Sequence, residues 1–244
     1  MTLSAACGRS QLRHLDRTGS QTMKSVDSVA GRPFRGLIPG PLLDAMQQGT
    51  LRMSYRGVPC LKGPFDLALY MLLIQRLKPQ TIVEIGTKYG GSALWFADML
   101  TAHGMDQGHV ISVDIEPLAS FSDPRITFLR GNARALQEVL DVATIDALRR
   151  PLMVVDDGSH LYGDALAVLD FFHNHLTSGE YMVIEDGNLS QFSDPFYERY
   201  EDGPNQAVAA FLSQHPLEYV IDESICDHFG YNVTSNPNGW LRRL

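Results

Sequence analysis

The pattern of hydrophobic and polar positions divides most of the chain into short apolar runs that alternate with helical segments. From Thr81 onward, β-branched apolar runs are followed by stretches in which apolar residues recur at helical spacing. The predicted strands are Thr81–Ile85, His109–Asp114, Ile126–Arg130, Leu152–Asp156 and Tyr181–Asp186. The predicted helices are Gly91–His103, Asn132–Leu140, Tyr162–His175 and Asn205–His215. This alternation is typical of right-handed crossovers and a mostly parallel α/β sheet.

The first part of the chain lacks this alternation. Residues 1–31 are rich in Ser, Thr, Gly and Arg and carry almost no periodic apolar signal, which predicts a flexible N-terminal tail. Apolar stripes then predict helices over Pro41–Gln48 and Pro64–Leu77, the second with proline near its first turn. We therefore expect one domain over residues 32–244 with an N-terminal helical extension.

The last part of the chain has a different pattern again. Leu217–Asp222 reads as a strand, and Tyr231–Ser235 is expected to pair with Trp240–Leu244. The Asn-Pro-Asn-Gly linker between these two segments is a turn signal. The sequence therefore predicts that an antiparallel C-terminal hairpin closes the parallel sheet.

Composition narrows the kind of protein this is. The chain has 244 residues and a formal net charge of -8, and neither nucleic acid nor an anionic membrane surface attracts an acidic protein. No apolar run approaches the length needed to span a bilayer. The three cysteines are far apart and lack metal-ligand spacing, which favours a reduced, cytoplasmic setting.

Acidic residues follow two of the predicted strands at the point where each strand ends. Asp157 comes after the fourth strand, with His160 three residues later, and Glu185 and Asp186 end the fifth. Ligands bind beyond the carboxyl ends of parallel strands, so these side chains should meet in one crevice. Carboxylates held so close repel one another unless a cation neutralises them, and Mg²⁺ favours such oxygen ligands. We expect a divalent metal site with His160 placed to remove a proton from a substrate hydroxyl.

The loop after the first strand carries the sequence Glu-Ile-Gly-Thr-Lys-Tyr-Gly-Gly-Ser and opens the next helix. Glycine lets the backbone approach a ligand, and the helix N-terminus offers free N–H groups. A dinucleotide fingerprint needs a second glycine where Lys88 stands, so NAD or FAD is disfavoured. Acidic Glu84 suits a ligand with a cationic head, such as the sulfonium and ammonium of S-adenosylmethionine.

Polar residues at the next two strand ends extend this site. Asp114 can accept hydrogen bonds from both hydroxyls of a ribose, and Asn132 is placed for an adenine edge. The residues expected to bind the cosubstrate are Glu84, Gly86, Gly90, Ser92, Asp114 and Asn132.

Structural roles remain open for every one of these residues taken singly. Asp114 and Asp156 could be caps, Asp157-Gly158 a turn, and His160 an exposed residue at a helix entry. The neighbouring Ser159 suggests a hydrolase, but it lacks the G-x-S-x-G elbow, and we reject that function.

Several stretches resemble the cephalosporin hydroxylase family, whose members are largely S-adenosylmethionine- and Mg²⁺-dependent O-methyltransferases of antibiotic and sugar tailoring. The matching stretches are Tyr55–Tyr70, Thr81–Phe96, Asp157 with His160, Ile184–Asp186 and Asn236–Leu244. The resemblance implies a class I methyltransferase (Rossmann-like) fold, a metal held by Asp157, Glu185 and Asp186, and His160 as the base. Where macrolide-sugar members carry aromatic residues after the acidic pair, this chain has residues 187–190, Gly-Asn-Leu-Ser, so its acceptor pocket should differ.

The favoured hypothesis is an O-methyltransferase that acts on a hydroxyl of a small molecule, a sugar moiety or a secondary metabolite. Family members tend to be oligomers, so a homo-oligomer is expected. An NAD(P)-dependent oxidoreductase and a non-catalytic S-adenosylmethionine-binding partner protein are the alternatives. Aromatic residues after the acidic pair are expected to form a lid and acceptor wall, and three N-terminal residues are expected to approach the site. The aromatic residues are Phe192, Phe196, Tyr197 and Tyr200, and the N-terminal residues are Tyr55, Arg56 and Lys62.

Overall fold

A seven-stranded mixed sheet organises the protein in the computed structural model, which describes residues 26–244. The strands of this sheet are β1 (Thr81–Ile85), β2 (His109–Asp114), β3 (Ile126–Arg130), β4 (Leu152–Asp156), β5 (Tyr181–Ile184), β6 (Tyr219–Ile221) and β7 (Trp240–Arg243). Their order across the sheet is β3-β2-β1-β4-β5-β7-β6. The first five strands pair in parallel, and β7 is antiparallel to both β5 and β6. The predicted mostly parallel α/β sheet is confirmed.

Helices cover the sheet and connect its strands. The α-helices are α1 (Gly40–Thr50), α2 (Pro64–Leu77), α3 (Gly91–Ala102), α4 (Val142–Asp146), α5 (Tyr162–His173), α6 (Gly203–Gln214) and α7 (Glu223–Cys226). Three 3₁₀ helices span Ala133–Glu138, Leu189–Gln191 and Pro195–Tyr200. Two short antiparallel ribbons pair Ser28–Val29 with Arg32–Pro33 and Ser54–Tyr55 with Val58–Pro59. None of the helices in the described range is both long and apolar enough to cross a membrane.

The core lies on both sides of the central strands. Every residue of β1, β4 and β5 is buried, because parallel strands covered by helices on both faces have no solvent-facing side. The chain steps from β1 to β2 through α3, and from β4 to β5 through α5, in opposite directions along the sheet. Right-handed crossovers in opposite directions place α3 and α5 on opposite faces. The neighbouring strands β1 and β4 are thus the point where the direction of winding reverses.

The predicted C-terminal hairpin is wrong in its pairing. Residues 231–235 form no strand, and β7 instead enters the sheet between β5 and β6. Residues of this segment instead bind the buried carboxylate of Asp66 on α2. The Thr234 hydroxyl and the Ser235 backbone N–H both donate hydrogen bonds to it. The antiparallel orientation of the closing strands is confirmed, with β6 rather than 231–235 as the partner.

Two further differences concern helices and the tail. The helix predicted over Asn132–Leu140 is a 3₁₀ helix over Ala133–Glu138, with Ala135 outside helical geometry, and α4 was not predicted. Residues 1–25 of the predicted tail lie outside the described range. Within that range Val29 is buried in the core cluster.

Candidate active site

A cavity of about 630 Å³ opens at the carboxyl ends of β1, β2, β4 and β5. Residues that end or directly follow these strands line it, among them Ile85, Asp114, Asp157 and Glu185. The cavity therefore lies where the winding direction of the sheet reverses, which is the usual ligand position in open α/β sheets.

Three of the predicted catalytic and metal residues converge at the floor of this cavity. Asp157, His160 and Asp186 each offer one ligand atom, and these atoms lie within 4.8 Å of one another. His160 Nε2 is 3.5 Å from Asp186 Oδ2. His160 and Asp186 both have a φ of 59°, a left-handed conformation that costs a non-glycine residue about 1–2 kcal/mol. The fold stabilises this conformation at the two positions where the chain turns its side chains into the cavity.

Glu185, the third predicted carboxylate ligand, has different partners. Its Oε1 accepts hydrogen bonds from Lys62 Nζ at 2.7 Å and from the Tyr70 hydroxyl. Lys62 Nζ also lies 2.6 Å from Asp157 Oδ2. Glu185 is not one of the three residues whose ligand atoms lie within 4.8 Å of one another, although it also lines the cavity. The structure thus joins Glu185 to Asp157 through one shared ammonium group.

Burial gives these carboxylates unusual proton affinities. Desolvation raises the pKa of Asp186 to about 6, against the opposing charge of His160. Desolvation also raises the pKa of Glu185 well above its ordinary value, although Lys62 opposes the change. The pKa of Asp156, at the end of β4, rises to about 7 for the same reason. Burial by itself lowers the pKa of Lys62, but the charges of Asp157 and Glu185 outweigh it and raise that pKa well above 10.5.

The donor set fits a hard divalent cation. Oxygen ligands from Asp157, Glu185 and Asp186 are the type that Mg²⁺ prefers, and Mg²⁺ keeps waters that a substrate oxygen can replace. Burial raises the pKa values of Glu185 and Asp186 by desolvating their carboxylates, and a bound cation would favour the ionised forms. One imidazole with two carboxylates differs from the two-histidine, one-carboxylate pattern of non-haem iron.

The glycine loop packs directly on the backbone of Asp157. Gly86 has a φ of 102°, and a Cβ atom there would lie 2.0 Å from the Asp157 carbonyl oxygen. Gly90, with a φ of 83°, is the residue just before α3, and Ser92 lies in the first turn of that helix. Gly86 and Ser92 line the cavity, whereas Gly90 shapes the turn behind it.

Asp114 and Asn132 also line the cavity, and each has a local backbone partner. The Asp114 carboxylate accepts from the backbone N–H groups of Lys88 at 2.7 Å and Glu116 at 2.8 Å. Asn132 Oδ1 accepts from the Arg134 N–H and caps the following 3₁₀ helix. Asn132 therefore caps a helix and lines the cavity at the same time.

Glu84 differs from its expected place in the loop. It lies inside β1 and is fully buried, and Ser112 Oγ donates to one carboxylate oxygen at 2.5 Å. Burial raises the pKa of this carboxylate. Glu84 does not line the cavity, because the strand pairing of β1 extends past it to Ile85.

Aromatic residues from the segment after β5 form one wall of the cavity. Phe196, Tyr197 and Tyr200 lie on the 3₁₀ helix Pro195–Tyr200 and line the cavity, whereas Phe192 packs on Tyr197 outside the lining. The Tyr200 ring meets His160 edge-on, with centroids 5.5 Å apart. This wall therefore borders the expected base directly.

Sequence reasoning missed the contribution of α1 and misplaced part of the N-terminal segment. Gln47 on α1 lines the cavity, and its Nε2 lies 3.2 Å from the Tyr197 hydroxyl. Tyr55 and Arg56 contact Asp98 on α3 and do not line the cavity, so that prediction is wrong for these two. The spacing of apolar residues in α1 predicts a helix, but it does not predict which part of the sheet that helix contacts.

A second group of possible metal ligands lies elsewhere, near the end of α6. His173, His215 and Glu218 also place ligand atoms within 4.8 Å of one another. Arg243 Nη1 lies 3.0 Å from His173 Nδ1, and Arg243 Nη2 lies 3.2 Å from Glu218 Oε2. A guanidinium so close disfavours a bound cation, and we treat this group as a structural network.

Comparison with known proteins assigns the family. Residues 47–244 match the family model described as rhamnosyl O-methyltransferase/CmcI. The chain belongs to the rhamnosyl O-methyltransferase/CmcI family. The predicted resemblance to the cephalosporin hydroxylase family and the predicted class I methyltransferase fold are both confirmed.

Two curated relatives and two solved structures illustrate the match. The chain is 28% identical over 204 residues to a rhamnosyl O-methyltransferase of Mycobacterium tuberculosis, covering 79% of this chain and 78% of the relative. It is 30% identical over 202 residues to that of Mycobacterium leprae, covering 78% and 82%. A CmcI apo structure superposes with a TM-score of 0.62 at 25% identity, covering 80% of this chain and 77% of that one. A CmcI structure with Mg and S-adenosylmethionine gives 0.59 at 25% identity, covering 96% and 97%.

Proposed function

We propose that this family member is an S-adenosylmethionine- and Mg²⁺-dependent O-methyltransferase that acts on a hydroxyl of a sugar moiety or related secondary metabolite. The observation that carries the proposal is the convergence of Asp157, His160 and Asp186 beside the Gly86 loop in one cavity. The names of the relatives, rhamnosyl O-methyltransferase and CmcI with Mg and S-adenosylmethionine, support this reaction and both cofactors over hydride transfer.

In this proposal the loop after β1 and the next two strand ends bind the methyl donor. Gly86 and Ser92 give the donor access to backbone at the start of α3, and Asp114 and Asn132 present acceptors farther along the cavity. Glu84 does not line the cavity, so it would not contact the donor directly. Its buried carboxylate would contribute negative charge next to the loop that binds the donor. Gly90 acts through the turn that exposes the helix N-terminus.

Asp157, Glu185 and Asp186 would hold the metal in this proposal. A Mg²⁺ ion there supplies a Lewis acid that polarises an acceptor hydroxyl. Glu185 reaches the site with one oxygen already bound to Lys62 and Tyr70, so it enters with a fixed orientation. The fixed carboxylates reduce the reorganisation needed at the moment of reaction.

His160 is the proposed general base. Its Nε2 lies 3.5 Å from Asp186 Oδ2, which places the imidazole beside the proposed metal ligands, where it can take the proton of the acceptor hydroxyl. The aromatic wall, with Tyr200 edge-on to this imidazole, excludes water and orients the acceptor over the base. The rest of the acceleration comes from holding acceptor oxygen and donor methyl close together.

The acceptor pocket and the biological setting are further parts of the proposal. Phe196, Tyr197 and Tyr200 offer flat apolar faces suited to the ring faces of a sugar or a polycyclic aglycone. Within residues 26–244, Cys60 and Cys226 are both free thiols, which supports a cytoplasmic enzyme. We also propose that it works as a homo-oligomer in the tailoring of a secondary metabolite, which size-exclusion chromatography with light scattering would test.

The test of this function is methyl transfer by the full chain. Purified protein is incubated with methyl-labelled S-adenosylmethionine, MgCl₂ and a panel of rhamnosylated and other deoxysugar glycosides, with and without EDTA. We expect label in at least one acceptor, and loss of that transfer on chelation. Donor binding by calorimetry without transfer to any acceptor would support the non-catalytic alternative instead, and binding of NAD in place of the donor would support the oxidoreductase.

A further inference from the structure

Lys62 is a charged residue that contacts two of the proposed metal ligands and has no role in the reaction described so far. It lies between the ribbon strand Val58–Pro59 and α2, and its side chain is only 1% exposed. Its Nζ lies 2.6 Å from Asp157 Oδ2 and 2.7 Å from Glu185 Oε1. A lysine is almost never fully buried unless it is paired, and here both partners are predicted metal ligands.

The position of Lys62 relative to the cavity separates it from the substrates. Asp157, Glu185 and Asp186 all line the cavity, but Lys62 does not, even though its neighbours Leu61 and Gly63 do. The ammonium therefore contacts the carboxylates from the protein side. A metal ion entering from the cavity would meet their opposite side, so the two cations can be present together.

The positive charge of Lys62 offsets only part of the negative charge of the three carboxylates. Asp157, Glu185 and Asp186 carry three negative charges when ionised, and Lys62 supplies one positive charge. Throughout residues 26–244, no other lysine or arginine forms an ion pair with any of these three carboxylates. With Lys62 the group carries a net charge of about -2, which one divalent ion neutralises.

We propose that Lys62 is a built-in counter-cation of the metal site. While the metal is absent, its ammonium group holds the carboxylates of Asp157 and Glu185 together. When the metal is bound, the ammonium group and the ion together neutralise the negative charge of these carboxylates. This inference rests on the proposed function, because it takes the three carboxylates to be the metal ligands. It makes Lys62 a positioning residue that acts through Asp157 and Glu185. Its consequence is that the protein folds with a preformed site, and that the metal adds only part of the charge the cluster needs.

The test compares how much Mg²⁺ stabilises two variants of the full chain. Thermal unfolding is measured for wild type, Lys62→Met and Lys78→Met, each in EDTA and in saturating MgCl₂. We expect Lys62→Met to lower Tm strongly in EDTA and much less in MgCl₂, because the ion replaces the missing charge. Its Mg²⁺-induced rise in Tm should be at least about twice that of wild type. Lys78→Met makes the same substitution at an exposed lysine outside the cavity lining, so its Mg²⁺-induced rise should equal that of wild type.

Each other outcome decides the question. An equal loss of Tm with and without Mg²⁺ would show that Lys62 only fills space, and a smaller Mg²⁺-induced rise in the variant would show that it assists metal binding instead; both overturn the inference. No response to Mg²⁺ in wild type would refute the metal site itself, and thus the proposed function. If Lys62→Met does not fold, the double variant Lys62→Met/Glu185→Gln, which removes one charge of each sign, should fold in EDTA. Failure of both variants to fold also contradicts the proposal.

Discussion

Gly86 and Asp157 are in direct backbone contact, since a Cβ atom on Gly86 would lie 2.0 Å from the carbonyl oxygen of Asp157. The Asp157 N–H also donates to the Ile85 carbonyl at 2.8 Å. The loop expected to bind the methyl donor and the first expected metal ligand are therefore parts of one rigid unit. In the proposed reaction this contact fixes the distance between donor and metal.

We predict that Gly86→Ala weakens both the donor-binding loop and the neighbouring proposed metal ligand Asp157. The new Cβ must displace the Asp157 backbone, which should lower the free energy of unfolding by about 3 kcal/mol and weaken binding of both the donor and Mg²⁺. Gly104→Ala is the matched control, because Gly104 also has a positive φ, 84°, but no atom lies within 4 Å of its added Cβ. It should cost only about 1 kcal/mol and leave binding unchanged. Denaturant unfolding and calorimetry measure both, and unaltered binding in folded Gly86→Ala would contradict the contact's role.

A second prediction concerns His160. His160→Gln should reduce kcat for methyl transfer by about 10²–10⁴-fold, the usual contribution of a general base. The dissociation constants of donor and Mg²⁺ should stay near wild type, because Asp157, Glu185 and Asp186 are intact. His103→Gln, at the end of α3 and outside the cavity lining, serves as the control. A variant at position 160 that keeps full kcat would remove this residue from the mechanism.

A third prediction concerns the C-terminal loop behind the proposed metal site. Asn236 is buried, and its Oδ1 accepts the backbone N–H of Asp186 at 3.1 Å, at the residue with left-handed φ. Asn236→Leu removes that acceptor and should weaken Mg²⁺ binding by about 10–100-fold, as loss of supporting contacts does in other metal sites. Asn236→Asp keeps an acceptor oxygen and should lose less. Calorimetric titration with Mg²⁺ measures both, and donor affinity should not change; equal Mg²⁺ affinity in wild type and Asn236→Leu would refute the link.

The aromatic wall gives a fourth prediction. Tyr197→Ala should raise KM for the acceptor by about fivefold, since one well-packed aromatic contact is worth about 1 kcal/mol. The donor dissociation constant should be unaffected. Phe229→Ala, an exposed aromatic residue outside the cavity lining, is the control. Unchanged acceptor KM in Tyr197→Ala would show that this wall packs the protein rather than the acceptor.

The sequence predicts best where local pattern decides the structure. The bounds of β1, β4 and α2 agree with their predicted ranges, because a buried β-branched run and a helical apolar stripe are local signals. Asp157, His160 and Asp186 could be placed together because parallel strands end at the same edge of the sheet. For these residues, the parallel direction of the strands is enough to predict that their side chains lie close together.

Prediction fails where a contact joins distant parts of the chain. Nothing near Trp240 shows that β7 would pair with β5 instead of with residues 231–235, since the partner depends on which sheet edge is free. Lys62 was expected near the site, but its two carboxylate partners follow β4 and β5, far along the chain. The buried position of Glu84 depends in the same way on the pairing of β1 with two neighbours. These features follow from tertiary packing, which periodicity does not encode.

The central claim is that one divalent ion is held by Asp157, Glu185 and Asp186 beside the methyl donor. Crystals grown with Mn²⁺ and S-adenosylhomocysteine, measured for anomalous scattering, test it most directly, because Mn²⁺ takes the same oxygen ligands as Mg²⁺. The account predicts a single strong anomalous peak within direct coordination distance of all three carboxylates, with the cosubstrate product against the Gly86 loop. A peak at His173, His215 and Glu218 with none at these carboxylates would contradict it.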